Sequence, residues 1–466
     1  MNEDNIDQKS IQDSRIDFNK MIKLYLESNP ILIEKGLHKE FEIRFGSNKK
    51  LYKPISKIDY DNVVKLLHSC GFHTDNNDGI HILKIQNEYT NKETGQKRIS
   101  NIRTELFGES LVKEYCKTNS IQAILNSESF NSDSVKFNKK ANAIDKNGQY
   151  IRAVDIKEFN FRASFQTEQN ISHSLSKQII NDWNDNKKIY RYLNRVRWVH
   201  DEYPLFVDMS IVKESSTKNK ILIPKYTIQE SNVFNNDENY NIEIELDNSD
   251  IDIAYYSNDN DKITKIINSI KKAIRIILSG IQNTKFPISY MEINDIKKEY
   301  FVLLNGTDKE LPKRITGSQF IGPSSLTLQN ENLIKDHPNT IVNNYTVTDK
   351  ADGERMLLFI NSKGKIYMID KNLNIIFTGS ITETKQIMSS IIDGEFIKYD
   401  KNNNIINLFA CFDIYVYNTK DVRNLPFTYS DIDDINDDEL IDTKKLRLQL
   451  LTDITHFIKH KSITDK

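Results

Sequence analysis

The chain has 466 residues, with Lys+Arg 64 against Asp+Glu 66 and a formal net charge of -2. This balance excludes a uniformly cationic nucleic-acid coat, so a polyanion would have to be held by a local basic site. Three cysteines, Cys70, Cys116 and Cys411, stand far apart. They make neither a disulfide framework nor a zinc cluster and fit a reducing compartment. No apolar run approaches the roughly 18 residues of a membrane span, and residues 1–15 lack the apolar stretch of a signal peptide. The expectation is a soluble protein of the cytoplasm, with no membrane partner.

In chain order, residues 1–15 read as a disordered polar tail. A helix follows with Ile16, Met21, Ile22, Leu24 and Tyr25 on its apolar side. From about 38 to 247 the pattern is mostly strand, broken by Asn-, Asp-, Gly- and Lys-rich turns. Residues 261–279 have helical periodicity and are predicted to stop at Gly280. Residues 281–330, with Pro287, Pro312 and Pro323, read as an inter-domain connection. Strands resume at Tyr345, and a last helix is predicted over 444–461. The expected organisation is a tail (1–15), a first domain (16–255), a helix with connecting segment (256–330) and a second domain (331–466).

Several strands of the first half alternate charged and large apolar residues. Glu40-Phe41-Glu42-Ile43-Arg44-Phe45, Ile102-Arg103-Thr104-Glu105-Leu106 and Ile242-Glu243-Ile244-Glu245-Leu246-Asp247 do so. In Arg191 to Trp198, one face carries Arg191, Arg195 and Arg197, and the other Tyr192, Val196 and Trp198. Residues i and i+2 of a strand share a face, so each strand has one charged and one apolar side. A single such strand is most simply a half-buried one with a solvated face. The set is different because the signs are sorted: two strands are acidic and others basic. A closed barrel with a polar lumen accounts for that sorting. Carboxylates on one wall suit a hard divalent cation, and guanidinium groups on the others suit a chain of phosphates.

The pairing of EFEIRFG with NIEIELD some 200 residues later resembles the metal-dependent triphosphate tunnel family, in particular the RNA 5′-triphosphatases of fungal and large-DNA-virus capping enzymes. The resemblance implies an α+β chain whose first domain is an eight-stranded antiparallel tunnel with flanking helices. It implies Mg²⁺ or Mn²⁺ held by Glu40, Glu42, Glu243 and Glu245, with Asp247 where a further acidic ligand is common. Arg44, Arg103, Arg162, Arg195 and Arg197 become the expected ligands of an RNA 5′-triphosphate. Asp208 and Ser210 match a strand that helps position the metal-bound water.

The second half contains Lys350-Ala351-Asp352-Gly353-Glu354-Arg355, with Ile391 to Phe396 (IIDGEF) and Phe409 to Ile414 (FACFDI) downstream. Asp-Gly between two apolar runs reads as a hairpin turn. The ordered set of three, however, is the signature of covalent nucleotidyltransferases. A lysine amine that attacks an α-phosphate must be deprotonated, which nearby cations and partial burial favour. By the family pattern Lys350 is the nucleophile, forming a lysyl-GMP intermediate with GTP. Arg355 and Glu395 then bind the ribose, Asp352 and Gly353 shape the turn presenting Lys350, and one of Phe409 and Phe412 (Phe412 is preferred) stacks on the base. The segments around the lysine resemble capping enzymes more than ligases. The resemblance covers about 38–247 and 318–427.

The expected function is therefore mRNA 5′ capping, by an RNA triphosphatase joined to a guanylyltransferase of the ligase-type, ATP-grasp-like antiparallel sheet. In the family, two further motifs and an OB domain follow, often with a methyltransferase. The expectation here is an incomplete second domain, impaired guanylyltransfer, and a missing part or partner chain that supplies the rest, acting in host cytoplasm or virion. An ATP-dependent nucleic-acid ligase and a non-catalytic triphosphate-RNA-end binder are the alternatives.

Overall fold

The computed structural model describes residues 8–28, 37–46, 54–91, 93–128, 130–131, 133–219, 221–249, 260–323, 326–343, 345–428 and 446–463. They form two compact units, residues 1–283 and 284–466, each described by itself.

Among the described residues of the first unit, the alternation read from the sequence becomes twelve antiparallel strands. They are β1 (Leu37–Phe45), β2 (Ile80–Thr90), β3 (Lys97–Ile99), β4 (Ile102–Phe107), β5 (Val135–Asn142), β6 (Val154–Ile156), β7 (Phe161–Asn170), β8 (Lys188–His200), β9 (Tyr203–Glu214), β10 (Thr217–Lys218), β11 (Ile221–Leu222) and β12 (Asn239–Leu246). Eight of them run in the order β1-β12-β9-β8-β2-β4-β5-β7, and β1 also pairs with β7, so the sheet closes into the expected eight-stranded antiparallel barrel. Closure leaves no open edge in that ring. β3 and β6 extend β2 and β7, and β10 and β11 form a separate two-stranded sheet among the described residues.

Apolar residues point outward. Phe41, Ile43 and Phe45 of β1, Leu205, Val207 and Met209 of β9, and Ile242, Ile244 and Leu246 of β12 share one core with three helices, α1 (Gln8–Leu26), α2 (Lys57–Ser69) and α3 (Asn260–Ile281). The charged residues that alternate with them therefore line the inside. On another side of the barrel, Leu83, Ile85 and Tyr190 pack with Tyr115 and Trp183 in a second core.

Three readings of this half are corrected. Residues 8–15 are helical, because α1 starts at Gln8; residues 1–7 lie outside the described residues. Met21, Ile22 and Tyr25 are buried as read, but Ile16 is 56% exposed and Leu24 half-buried, and Phe18 and Leu26 complete the buried stripe. Their i, i+3, i+4 spacing is that of one helix face. α3 runs through Gly280 to Ile281. Gly280 is no stop signal: a Cβ there would stand 2.5 Å from Val63 Cγ2 and 2.7 Å from Val63 Cα, so glycine lets α3 meet α2 closely.

The second unit is a seven-stranded antiparallel sheet in the order β18-β17-β16-β13-β14-β15-β19. Its strands are β13 (Glu354–Ile360), β14 (Lys365–Ile369), β15 (Ile375–Thr382), β16 (Ser390–Tyr399), β17 (Ile405–Tyr417), β18 (Lys420–Asp421) and β19 (His460–Ser462). Helix α4 (Tyr290–Asn305) is capped by Ser289, whose hydroxyl accepts from Glu292 N. It buries Ile296, Tyr300 and Leu304 against Leu357, Phe359, Tyr367 and Phe377 of the sheet. Helix α5 (Arg447–Phe457) buries Leu450, Leu451 and Ile454 against Ile392 and Ile414. The segment expected to connect two domains over 256–330 is thus divided. α3 belongs to the barrel unit, and residues 284–330 include α4, part of the second core.

The strand expected just before Lys350 is an exposed, irregular stretch over 345–350, and Asp352-Gly353 is not a hairpin turn. The β13–β14 hairpin closes later, through Gly364 at φ 76°. Gly353 enters β13 beside β16, where a Cβ would meet Phe396 O at 2.6 Å. No helix among the described residues is long and apolar enough to cross a membrane.

Candidate functional site

The two glutamate strands, far apart in sequence, are neighbours: β1 pairs with β12 in the register Glu42↔Glu245 and Arg44↔Glu243. β9 lies between β12 and β8, with Glu243↔Asp208 and Asp208↔Arg197 in register. An acidic wall and an arginine wall therefore meet around Asp208, which is 1% exposed.

The side chains are bonded across strands. Arg44 donates to Glu243 at 2.8 Å and to Glu42 at 2.5 Å. Arg197 makes a two-point contact with Asp208, 2.7 Å on each oxygen, and reaches Glu245 at 2.7 Å. Arg195 lies 2.9 Å from Asp208 and 3.4 Å from Glu243. Lys140 of β5, two strands from β1, lies 2.7 Å from Glu40 and 3.3 Å from Glu42. Lys84 pairs with Glu105 at 2.8 Å.

Sequence reading gave no role to Lys84, Glu105 or Lys140, although Glu105 stands with Arg103 in one of the alternating runs. It gave Asp208 only a minor part. The structure also separates residues that were grouped. Arg162 makes a two-point pair with Asp155 of β6, at 2.7 and 2.8 Å. The Asp247 carboxylate accepts from Ser249 N and Oγ, at 3.0 and 2.6 Å, as a turn cap. Arg103 has no ion pair among the described residues, and the Nε of Arg191 is buried without a hydrogen-bond partner although Glu214 lies 3.5 Å away. These two guanidinium groups are the least committed on the walls, and guanidinium geometry suits a phosphate oxygen.

The four glutamates are electrostatically unequal. Burial opposes ionisation of Glu243, but Arg44, Arg195 and Arg191 outweigh it and hold its carboxyl at about 2. Burial pushes Glu245 up to about 7; Arg197 opposes this, while Glu40 and Asp208 add to it. Glu40 is raised as well, by burial, against the pull of Lys140. Burial lowers Lys84 despite Glu105.

Among the described residues no three His, Cys, Asp or Glu side chains already stand as a metal-holding group. The donors nevertheless fit a hard divalent cation. Glu40 Oε2 is buried without a well-directed hydrogen bond, although Lys140 Nζ is 2.7 Å away. Burial, with repulsion from Glu40 and Asp208, disfavours the ionised form of Glu245 despite Arg197, a cost that a bound divalent cation would relieve.

The sign for stability follows from that. A carboxyl raised on folding favours the protonated state. The stability it contributes below about 4.5 is lost as pH rises through about 7. In protein without added cation, Glu245→Gln is expected to raise the melting temperature at pH 8, by about 1 kcal/mol of stability, and to leave it unchanged at pH 4.5. A thermal melt of both proteins at the two pH values checks this; equal melting at pH 8 contradicts it.

In the second unit Arg355 of β13 is fixed by residues the sequence reading did not single out. Its Nε and Nη2 donate to Asp393 at 3.1 and 2.6 Å. Tyr415 OH also donates to Asp393, and Arg355 Nη1 to Pro323 O. Asp393 is 1% exposed. A Cβ at Gly322 would meet Arg355 Nη2 at 2.9 Å. Glu395 stands opposite Arg355 in the β13–β16 register. Phe412 is 37% exposed with its ring 5.9 Å from the guanidinium, whereas Phe409 packs in the core. Of that pair, Phe412 is the one placed beside Arg355. Lys350 and Asp352 are exposed.

The comparisons with known proteins bear out the resemblance to capping enzymes. Residues 286–458 match the family model described as mRNA capping enzyme, catalytic domain. A probable mRNA-capping enzyme of Acanthamoeba polyphaga mimivirus is 31% identical over 227 residues. That match takes in 44% of this chain and spans 18% of the relative's length. Among solved structures, the RNA triphosphatase domain of a trifunctional mimivirus mRNA capping enzyme aligns over 58% of this chain and 97% of its own, at 17% identity and TM-score 0.35. The S. pombe RNA triphosphatase Pct1 aligns over 57% and 91%, at 14% identity and TM-score 0.31. The barrel rests on the strand pairing above.

Proposed function

We propose that this chain performs the first steps of mRNA 5′ capping: hydrolysis of an RNA 5′-triphosphate to the diphosphate in the barrel, then GMP transfer from GTP through Lys350. The observation that carries the first step is the lumen itself, where glutamates of β1 and β12 stand against arginines of β8 across Asp208.

Glu40, Glu42, Glu243 and Glu245 would hold Mg²⁺ or Mn²⁺. When bound, such an ion neutralises charge on the phosphates and lowers the pKa of water. Arg103 and Arg191 take the triphosphate oxygens, joined by Arg195 and Arg197 as these exchange carboxylate for phosphate. Asp208 keeps the two β8 arginines aimed, and Lys140 keeps Glu40 and Glu42 together. The walls replace bulk water around the γ-phosphate with fixed charges, which act strongly at low dielectric.

In the second unit the Lys350 amine attacks the GTP α-phosphate. An N–P bond forms, pyrophosphate leaves, and the amine proton passes to solvent. Arg355 and Glu395 face the ribose and Phe412 the base. The match of residues 286–458 to the capping catalytic domain supports this reading. The RNA diphosphate end is the acceptor, and host cytoplasm or virion is the place of action.

The test is release of γ-phosphate from triphosphate-ended RNA by the whole chain, with Mg²⁺ or Mn²⁺ and with EDTA. Release that depends on the cation is expected. A folded, cation-supplied chain that releases nothing sinks the triphosphatase reading, and tight binding of the same RNA without release establishes an end-binding module instead.

A further inference from the structure

We propose that the rim of the barrel formed by the β8–β9 turn and the outer face of α3 is a docking surface for single-stranded RNA leaving the tunnel. The inference rests on the proposed triphosphatase reading for the position of the RNA end.

The turn carries an aromatic platform. The rings of His200 and Tyr203 are stacked, with centroids 4.0 Å apart and planes 9° from parallel. Phe72, 2% exposed, meets both rings edge-on at 5.0 and 5.7 Å and supports them from below. Both upper rings are half-buried, at the rim rather than in the core. A preformed ring pair held by a buried third ring offers a base a place to stack at little ordering cost.

Cations border the platform. Lys272 Nζ lies 5.7 Å from the Tyr203 ring centre. Lys265 and Lys272, seven residues apart, share the outer face of α3, with Lys271 at its margin, and all three are exposed. The opposite face of α3 is spent on the core through Ile266, Ile270, Ala273 and Ile277. Asp201 and Glu202 are the acidic groups of the same turn; Asp201 lies 3.9 Å from His73 Nε2.

The platform is tied to the lumen. Pro204 O accepts from Asp247 N at 3.0 Å, which places the turn at the barrel end that carries Asp247. Two residues further along β9, the Phe206 ring lies 4.3 Å beneath the Arg197 guanidinium. A strand whose terminal phosphates reach Arg197 leaves by this end past Tyr203. Paired bases hide their faces and single-stranded ones offer them, so stacking selects the single strand without reading its sequence. The lysines supply a salt-dependent hold on its backbone.

The experiment uses the whole chain, a triple variant (Lys265→Glu, Lys271→Glu, Lys272→Glu) and His200→Ala. Affinity is read by fluorescence anisotropy for a single-stranded RNA of about 20 nucleotides with a 5′-hydroxyl, and for its duplex. Phosphate release is read on the triphosphate-ended form of the same RNA and on inorganic tripolyphosphate. Both variants are expected to bind the 5′-hydroxyl strand about tenfold more weakly, the triple variant with a shallower salt slope. KM for the RNA substrate rises by about the same factor, while kcat/KM on tripolyphosphate is unchanged. Variants that bind the single strand like wild type overturn the proposal, as does a wild type that prefers the duplex. So does an equal loss on tripolyphosphate, which marks a structural defect. If wild type releases phosphate from neither substrate, the triphosphatase reading fails, and the binding arm alone decides this surface.

Discussion

Glu243→Ala is expected to lower γ-phosphate release by about three orders of magnitude, the scale seen when one preorganised electrostatic group is removed from a reacting centre. The loss has two sources. Glu243 is the acidic group most firmly kept ionised, held at about 2 by Arg44, Arg195 and Arg191, so it presents a full negative charge to a cation at any working pH. It also restrains Arg44 at 2.8 Å and Arg195 at 3.4 Å. Without it, both guanidinium groups turn to the remaining carboxylates and away from phosphate. Breaking a buried pair also costs stability, about 3 kcal/mol or more. The rate must therefore be compared in Glu243→Ala and Glu243→Gln, with a thermal melt of each. Glu243→Gln keeps the shape and one acceptor but not the charge, so it is expected to melt between Glu243→Ala and wild type while losing most of the rate. A Glu243→Ala protein that keeps a tenth of wild-type release contradicts the assignment.

The second large effect is all or none. Incubation with GTP labelled at the α-phosphate is expected to leave label on the chain that resists denaturation, and Lys350→Arg and Lys350→Ala are expected to carry none. Arginine keeps the charge and cannot act as the amine nucleophile, so it separates chemistry from electrostatics. Lys350 stands exposed on the 345–350 stretch, five residues before Arg355, which Asp393 and Tyr415 hold in place. An amine must lose its proton to attack, so labelling requires the nucleotide and its cation to gather around Lys350 first. Asp393→Ala frees Arg355 and is expected to weaken labelling without abolishing it. Label from ATP and not GTP would move this unit to the nucleic-acid ligases. Label that survives Lys350→Arg would place the nucleophile elsewhere.

Legibility in the sequence followed how local the signal was. Glu40 with Glu42, Glu243 with Glu245, and Arg195 with Arg197 repeat at the strand period, so their shared face could be read directly. Lys140 could not be read this way. Its bonds to Glu40 and Glu42 span a sequence separation of about 100 residues and exist only because β5 stands two strands from β1 once the ring is closed. Asp393 was passed over for Glu395, two residues on, since a buried carboxylate that orients an arginine has no sequence mark of its own. The Gly280 error has the same origin. A glycine near a helix end reads as a cap, and the packed Val63 that makes it necessary lies on another element. Strong turn chemistry misled at Asp352-Gly353, where the close passage of β16 makes the requirement for glycine.

One consequence concerns synthesis. All eight strands of the barrel have been made once Leu246 is in place, but the helix that completes its apolar jacket ends at Ile281, about 35 residues later. At about 5–20 residues per second, that leaves a closed or closing barrel with part of its greasy exterior bare for a few seconds. The same order sets where the gene can be cut. A fragment ending near residue 255 would keep every strand and discard Ile266, Ile270, Ala273 and Ile277, whereas one ending at 283 carries its own cover.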